Sequence, residues 1–251
     1  MLIPQDAELY EKGVPWMEFK LPNTLMTHLQ NAIDNSSQQE TANNILAGNI
    51  SKSLFIKDKD DFFFNHILKG TSEHLYYQQW KNHYEVVVSG IRPAPEFKLN
   101  KLWVNYQKQY EFNPPHSHGG MFSFVVFMKI PTHWKEQHAL PFCSDSNTPC
   151  ASNFCFLLGT RNGGVELINF SLGPEDRGKM LFFPAWLCHE VFPFYGTEEE
   201  RVTISGNIIL VENNPMQPDR MIEKEDREKK LEFFENQVKF YKKMIQSENN
   251  D

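Results

Sequence analysis

At 251 residues, with 40% hydrophobic and 14% aromatic side chains, the chain is long enough to bury a sizeable core as one large domain or two small ones. Its net charge of -7 argues against general nucleic-acid binding, which needs a basic footprint, so duplex nucleic acid is not an expected partner. Four cysteines (Cys143, Cys150, Cys155 and Cys188) without CxxC spacing argue against both a disulfide framework and a structural zinc cluster. The stretch Met1 to Glu8 is neither basic nor followed by an apolar run, and no segment approaches the roughly 18 apolar residues of a membrane span. These features predict a soluble protein of a reducing cytoplasm, with no membrane partner.

Residues 1–95 read as a helical supporting region. Asn23 is placed to cap a helix whose apolar positions Leu25, Met26, Leu29 and Ile33 recur at helical spacing. Asp60 or Asp61 is placed to start a second helix through Phe63, Ile67, Leu75 and Trp80, with Gly70 a candidate break. Near residue 97 the texture changes. Phe97 to Tyr106 is strand-like, and Met121 to Ile130 is so apolar that it reads as a strand buried on both faces. Residues 131–152 have no period and predict a long loop, a candidate lid. Strands are expected at Phe154–Leu158 and Val165–Phe170 around a Gly163-Gly164 turn, then at Met180–Phe183, Cys188–Phe194 and Arg201–Val211. Regular short strands and 21 phenylalanines point to a β sandwich or barrel over 96–212. The remainder, 213–251, holds a charged helix over about 219–246. Its apolar positions Leu231, Phe234, Val238, Tyr241 and Ile245 either dock on the protein's own body or form a homodimer.

The chemistry gathers in the β-rich part. His116 and His118 lie in Phe112-Asn113-Pro114-Pro115-His116-Ser117-His118-Gly119-Gly120, and residues at i and i+2 of a strand share a face. Taken alone, such a pair fits two exposed loop histidines as well as two metal ligands. Its place at the mouth of the most apolar strand, beside glycines that permit close approach, favours ligands. His189 follows a buried strand and a proline-broken turn. Arg201, Thr203, Ser205 and Asn207 share one face by alternation, with Val202, Ile204 and Ile208 off it. A buried arginine beside hydroxyls needs an anion, and its fork suits a carboxylate. A metal beside a carboxylate clamp is a binding site for a keto acid. The other histidines read as ordinary: His133 and His138 in a loop, and His28, His66, His74 and His83 in helices. Trp103 and Cys188 read as core.

With these residues in view, the chain resembles the Fe(II)/2-oxoglutarate-dependent oxygenases, specifically the prolyl-4-hydroxylase-like branch and its phage-encoded relatives. The resemblance runs over about residues 97–211 and is carried by Val104-Asn105-Tyr106, His116-x-His118, Gly178 through His189, and Arg201-x-Thr203. It implies a mainly β (α+β) chain with a double-stranded β-helix, or jelly roll, at its centre. By position it makes His116, His118 and His189 the metal ligands and Arg201 the partner of the distal carboxylate of 2-oxoglutarate, helped by Thr203 or Ser205. Tyr106 stands where the branch has a tyrosine on the same carboxylate, and Asn105 is a further candidate. The implied cofactors are Fe(II) and 2-oxoglutarate, with ascorbate as an accessory, and O2 as co-substrate. The reaction releases succinate and CO2 and hydroxylates a peptidyl proline, another protein side chain or a small molecule. A phage origin would place it in the host-cell cytoplasm.

One departure matters. The family's motif is HxD or HxE, and here His118 occupies the carboxylate position. Three neutral ligands leave a divalent ion its full charge. A carboxylate from elsewhere, such as Glu166, is the alternative third ligand. Two other readings stay open: a three-histidine metal dioxygenase that does not use 2-oxoglutarate, and a non-catalytic metal-binding jelly roll.

Overall fold

The computed structural model describes residues 8–11, 14–36, 39–79 and 96–211. Met1–Gln79 and Phe97–Leu210 form one compact unit, so the N-terminal segment and the β-rich segment share a body. The second unit, Trp80–Glu96 with Val211–Asp251, lies almost wholly outside the described residues, as do Trp80, the helix expected over 219–246 and its proposed dimer role.

Eleven strands are described: β1 Glu8–Glu11, β2 Pro15–Lys20, β3 Lys52–Phe55, β4 Glu96–Gln107, β5 Asn113–His116, β6 Phe122–Lys129, β7 Phe154–Gly159, β8 Val165–Phe170, β9 Lys179–Pro184, β10 His189–Val191 and β11 Arg201–Val211. The α-helices among the described residues are α1 Asn23–Asp34, α2 Lys69–Gln79 and α3 Trp134–His138. A large sheet has the order β1-β2-β9-β6-β11-β4-β3 and a small one the order β5-β10-β7-β8. From β4 onward the chain passes back and forth between them, and the resulting order β4-β11-β6-β9 over β5-β10-β7-β8 is jelly-roll connectivity.

The run of apolar residues in β6 is explained by its place. Phe122 through Met128 are all buried because β6 lies inside the large sheet with both faces covered. On one face, Phe127 meets Phe154 of the small sheet, with ring centroids 6.3 Å apart, while Phe183 of β9 meets Phe156 at 4.9 Å. On the other, Phe124 meets Phe63 at 5.7 Å, and Phe97 of β4 meets Tyr76 of α2 at 5.6 Å. The helical segment thus covers the outer face of the large sheet.

The N-terminal region, expected to be a helical supporting region, contains strands as well. The expected α1 is present and buries Leu25, Met26, Leu29 and Ile33, but β1, β2 and β3 extend the large sheet at both edges. Asn23 is the first helical residue rather than the cap; the backbone carbonyl of Pro22 takes the first hydrogen bonds. The second helical segment is started by Asp58 instead of Asp60 or Asp61. Its carboxylate accepts from the N–H groups of Phe63 and Phe64 at 2.9 and 2.8 Å. Gly70 does not end that segment: a π-helical turn over Phe64–Leu68 runs straight into α2.

Gly206 sits in β11 between β6 and β4, where a Cβ atom would come within 2.6 Å of the Phe124 ring and 2.7 Å of the Lys101 carbonyl. Overpacking of this kind typically costs about 1–3 kcal/mol. Gly206→Ala should therefore lower the unfolding free energy by an amount in that range, read as a lower denaturant midpoint with an unchanged slope; an unchanged midpoint would contradict the packing described.

Candidate metal and anion site

The register between β5 and β10 builds the first half of the site. His189 pairs directly with His116 across the two strands, so both imidazoles leave the sheet on one face. β5 ends at His116, so His118 is not on the strand as its spacing suggests. It sits on the crossing to the large sheet, pinned by its N–H to the Ala185 carbonyl at 2.8 Å. Two residues on, Gly120 has φ +114°, and a Cβ there would lie 2.8 Å from the Ile208 carbonyl. Of the two glycines only Gly120 permits a close approach, and what approaches is the backbone of β11; a Cβ at Gly119 would meet nothing within 4 Å.

One ligand-capable atom from each of His116, His118 and His189 lies within 4.8 Å of the others. Two of the rings are oriented by the backbone. His116 Nδ1 is 2.7 Å from the Pro114 carbonyl and His189 Nδ1 is 3.0 Å from the Leu187 carbonyl. A carbonyl only accepts, so each Nδ1 carries the proton and each Nε2 keeps its lone pair for the cluster. His118 Nε2 faces His189 Nε2 at 3.3 Å. That contact is favourable when a proton or a cation lies between the two nitrogens, so the donor set fits a divalent metal. Phe154 stacks on His189 at 5.5 Å, Phe183 meets it at 4.9 Å and Trp103 flanks His118 at 5.8 Å. Burial lowers the pKa of all three histidines, with smaller contributions from neighbouring rings at His118 and His189; that of His118 comes down to about 4. They are therefore in the neutral, ligating form at neutral pH.

Arg201 opens β11 and lies in the same cavity as the histidines. Its side chain is 2% exposed, and burial lowers its pKa only to about 10, so it stays charged. Its acceptors are neutral: Nη2 donates to the Ser152 carbonyl at 2.9 Å and to the Ser152 hydroxyl, and Nη1 donates to Gln107 Oε1 at 3.4 Å. Phe194 lies under the guanidinium at 5.1 Å. No carboxylate pairs with it among the described residues, and its buried Nε–H has no hydrogen-bond partner. A buried cation with an unused donor is the arrangement that an incoming anion completes.

Thr203, Ser205 and Asn105 line the cavity as expected, with Asn105 Nδ2 donating to Thr203 Oγ1 at 3.4 Å. Tyr106 does not. Adjacent residues on a strand point to opposite faces, and β4 turns Trp103, Asn105 and Gln107 inward. The Tyr106 hydroxyl is instead 3.3 Å from Ser36, with Lys52 over its ring, and Gln107 takes the place beside Arg201. Glu166 lies exposed on the edge strand β8, away from the histidine cluster. The 131–152 stretch, expected as a loop and candidate lid, contains α3, supplies none of the residues lining the cavity, and reaches Arg201 through Ser152. His133 and His138 bond to Glu175 and Asn153, outside the cavity lining. Cys188, expected in the core, is only half-buried.

Besides Gln107, two contributions were not foreseen. One is Ser152. The other is the segment Leu46 to Ile50, which forms part of the cavity wall and is clipped to the β4–β5 turn by paired backbone hydrogen bonds between Asn49 and Phe112 at 2.8 and 3.4 Å.

Residues 101–207 match the model of a family described as putative 2OG-Fe(II) oxygenase. That span contains all three histidines and Arg201. No curated protein matches the sequence. Among solved structures, a Pseudomonas putida prolyl-4-hydroxylase is 14% identical, with 76% of this chain and 90% of that one covered at a TM-score of 0.41. A Trichoplax adhaerens prolyl hydroxylase, in complex with a hypoxia inducible factor oxygen degradation domain peptide fragment, is 12% identical, with 78% and 82% covered at 0.42. An oxidoreductase of the 2OG-Fe(II) oxygenase family from Burkholderia pseudomallei is 14% identical over 46% of each chain at 0.33, so this chain spans under half of its length. These are distant likenesses, and the weight of a functional reading falls on the residues of the site.

The lowered His118 pKa has a consequence for the metal-free protein. Between 6.5 and about 4 the unfolded chain binds the proton that the folded chain does not, so stability falls as pH drops through that window. His118→Gln should make the decline measurably shallower in denaturation at stepped pH; an equally steep decline would contradict the burial of a neutral imidazole.

Proposed function

We propose that the protein is an Fe(II)- and 2-oxoglutarate-dependent oxygenase. His116, His118 and His189 would hold the iron through Nε2, and Arg201 would receive the distal carboxylate of 2-oxoglutarate, with Thr203, Ser205 and Asn105 beside it. The observation that carries this reading is the pairing, in one cavity, of a three-imidazole cluster with a buried arginine that lacks an acidic partner among the described residues. The family match over residues 101–207 supports it. With both cofactors bound, the chemistry supplied is O2-dependent decarboxylation to succinate and CO2 coupled to hydroxylation of a substrate C–H bond, with ascorbate able to keep the iron ferrous.

The chain's own part is positioning and exclusion of water. Backbone carbonyls at Pro114 and Leu187 fix the ring orientations. Phe154, Phe183 and Trp103 wall the cluster with apolar surface. A peptidyl proline, another protein side chain and a small molecule all fit this class of reaction as substrate. His118 favours one other reading, a three-histidine dioxygenase without 2-oxoglutarate. Arg201 distinguishes the two, because that chemistry gives a buried guanidinium no anion to bind.

Succinate should form from 2-oxoglutarate only when Fe(II) is supplied. Arg201→Ala should raise the 2-oxoglutarate concentration needed for half-maximal turnover by about 10- to 100-fold, the usual worth of a charge-assisted hydrogen-bonded pair. O2 consumption that ignores 2-oxoglutarate and is unaffected by Arg201→Ala would favour the other reading.

A further inference from the structure

Ser152 is fully buried, at 0% exposure, in a conformation that a serine rarely adopts. Its φ is +72°, in the left-handed region. Such a residue persists only where its surroundings over-determine it. Here the determinants are visible. The Ser152 N–H donates to the Pro193 carbonyl at 2.9 Å. The next residue, Asn153, is held on all sides: its N–H donates to the Cys150 carbonyl at 3.0 Å, its carbonyl accepts from Phe192 N–H at 2.9 Å, and its side chain bonds His138 at 3.1 Å and Asn169 at 3.4 Å. The left-handed turn brings the carbonyl and the hydroxyl of one residue onto the same nitrogen, Nη2 of Arg201.

The consequence is electrostatic. A guanidinium has five N–H donors. Ser152 takes both on Nη2 and Gln107 takes one on Nη1, which leaves Nε–H and one Nη1 hydrogen. Every acceptor is neutral, so the side chain is immobilised while its charge is left intact. A carboxylate at the same place would hold the arginine equally well and cancel that charge.

We propose that Ser152 is a positioning residue for the anion site. Its neutral, left-handed cradle keeps Arg201 fixed and uncompensated, and so makes the cavity selective for a 2-oxo acid bearing a second, distal carboxylate. The proposal rests on the reading of the site as a 2-oxo-acid site.

The test is anaerobic calorimetric binding of 2-oxoglutarate and of 2-oxobutyrate, which lacks the distal carboxylate, to the Fe(II)-loaded full chain. Wild type is compared with Ser152→Asn and Ser152→Asp. These two replacements match in size and both tolerate the left-handed conformation, so they differ chiefly in charge. The expected result is that Ser152→Asp weakens 2-oxoglutarate by about tenfold or more, down to the level of 2-oxobutyrate, the loss of one charge-assisted contact. Its affinity for 2-oxobutyrate and for Fe(II) stays at the wild-type level, and Ser152→Asn retains most of the preference for 2-oxoglutarate.

If Ser152→Asp binds 2-oxoglutarate like wild type, or if both variants lose both ligands together, Ser152 is structural and the proposal is overturned. Should Ser152→Asp fail to fold, Ser152→Ala decides: it keeps the carbonyl and loses the hydroxyl, so a several-fold loss confined to 2-oxoglutarate supports the proposal and no loss overturns it. A wild type that does not prefer 2-oxoglutarate over 2-oxobutyrate overturns the underlying reading of Arg201 instead, and this inference with it.

Discussion

Arg201 places a positive charge inside the protein with only neutral groups to hold it among the described residues, and much of the site is organised by that fact. Bringing an ion into the interior costs several kcal/mol unless it is well paired. The fold meets part of the cost with three neutral hydrogen bonds and the face of Phe194, and leaves Nε–H unused. Elements far apart in sequence converge to do this: Gln107 from the end of β4, Ser152 from the loop before β7, Phe194 from the segment after β10, and Arg201 from the start of β11. A binding site explains why the debt is left partly open. On the proposed function, the missing counter-charge is what the ligand would supply.

The histidine cluster is set by a different constraint, strand register. His116 and His189 face one another because β5 pairs with β10, and a shift of one residue would send one imidazole to the other side of the sheet. His118 is reached only after the chain leaves β5, so its position depends on the crossing: the His118 N–H on the Ala185 carbonyl, and the close approach of Gly120 to β11. The small sheet thus contributes two imidazoles and the connection between sheets contributes the third. Arg201 comes from the large sheet, and the cavity between the sheets is where all four meet.

Most of this was legible where the signal is local and periodic. The apolar run of β6 announced a strand covered on both sides, and the alternation of Arg201, Thr203 and Ser205 announced one lined face. Tyr106 shows the limit of position by resemblance. Asn105 and Tyr106 are neighbours on a strand and cannot both face the cavity; the inward phase belongs to Asn105 and brings Gln107 with it. Ser152 and the Leu46 to Ile50 segment were not legible, because their roles come from tertiary hydrogen bonds in stretches without a period. The short strands β1, β2 and β3 were missed for a related reason. Four to six residues between turns carry too little pattern to stand out from the helices beside them.

The most direct test of the account is the visible absorption of the anaerobic protein with Fe(II), before and after 2-oxoglutarate is added. A 2-oxo acid bound to ferrous iron in the three-histidine cluster should give a metal-to-ligand charge-transfer band that needs both components and is absent from His118→Ala. Bound iron without such a band, at saturating 2-oxoglutarate, would contradict the account and leave the cavity to a different anion.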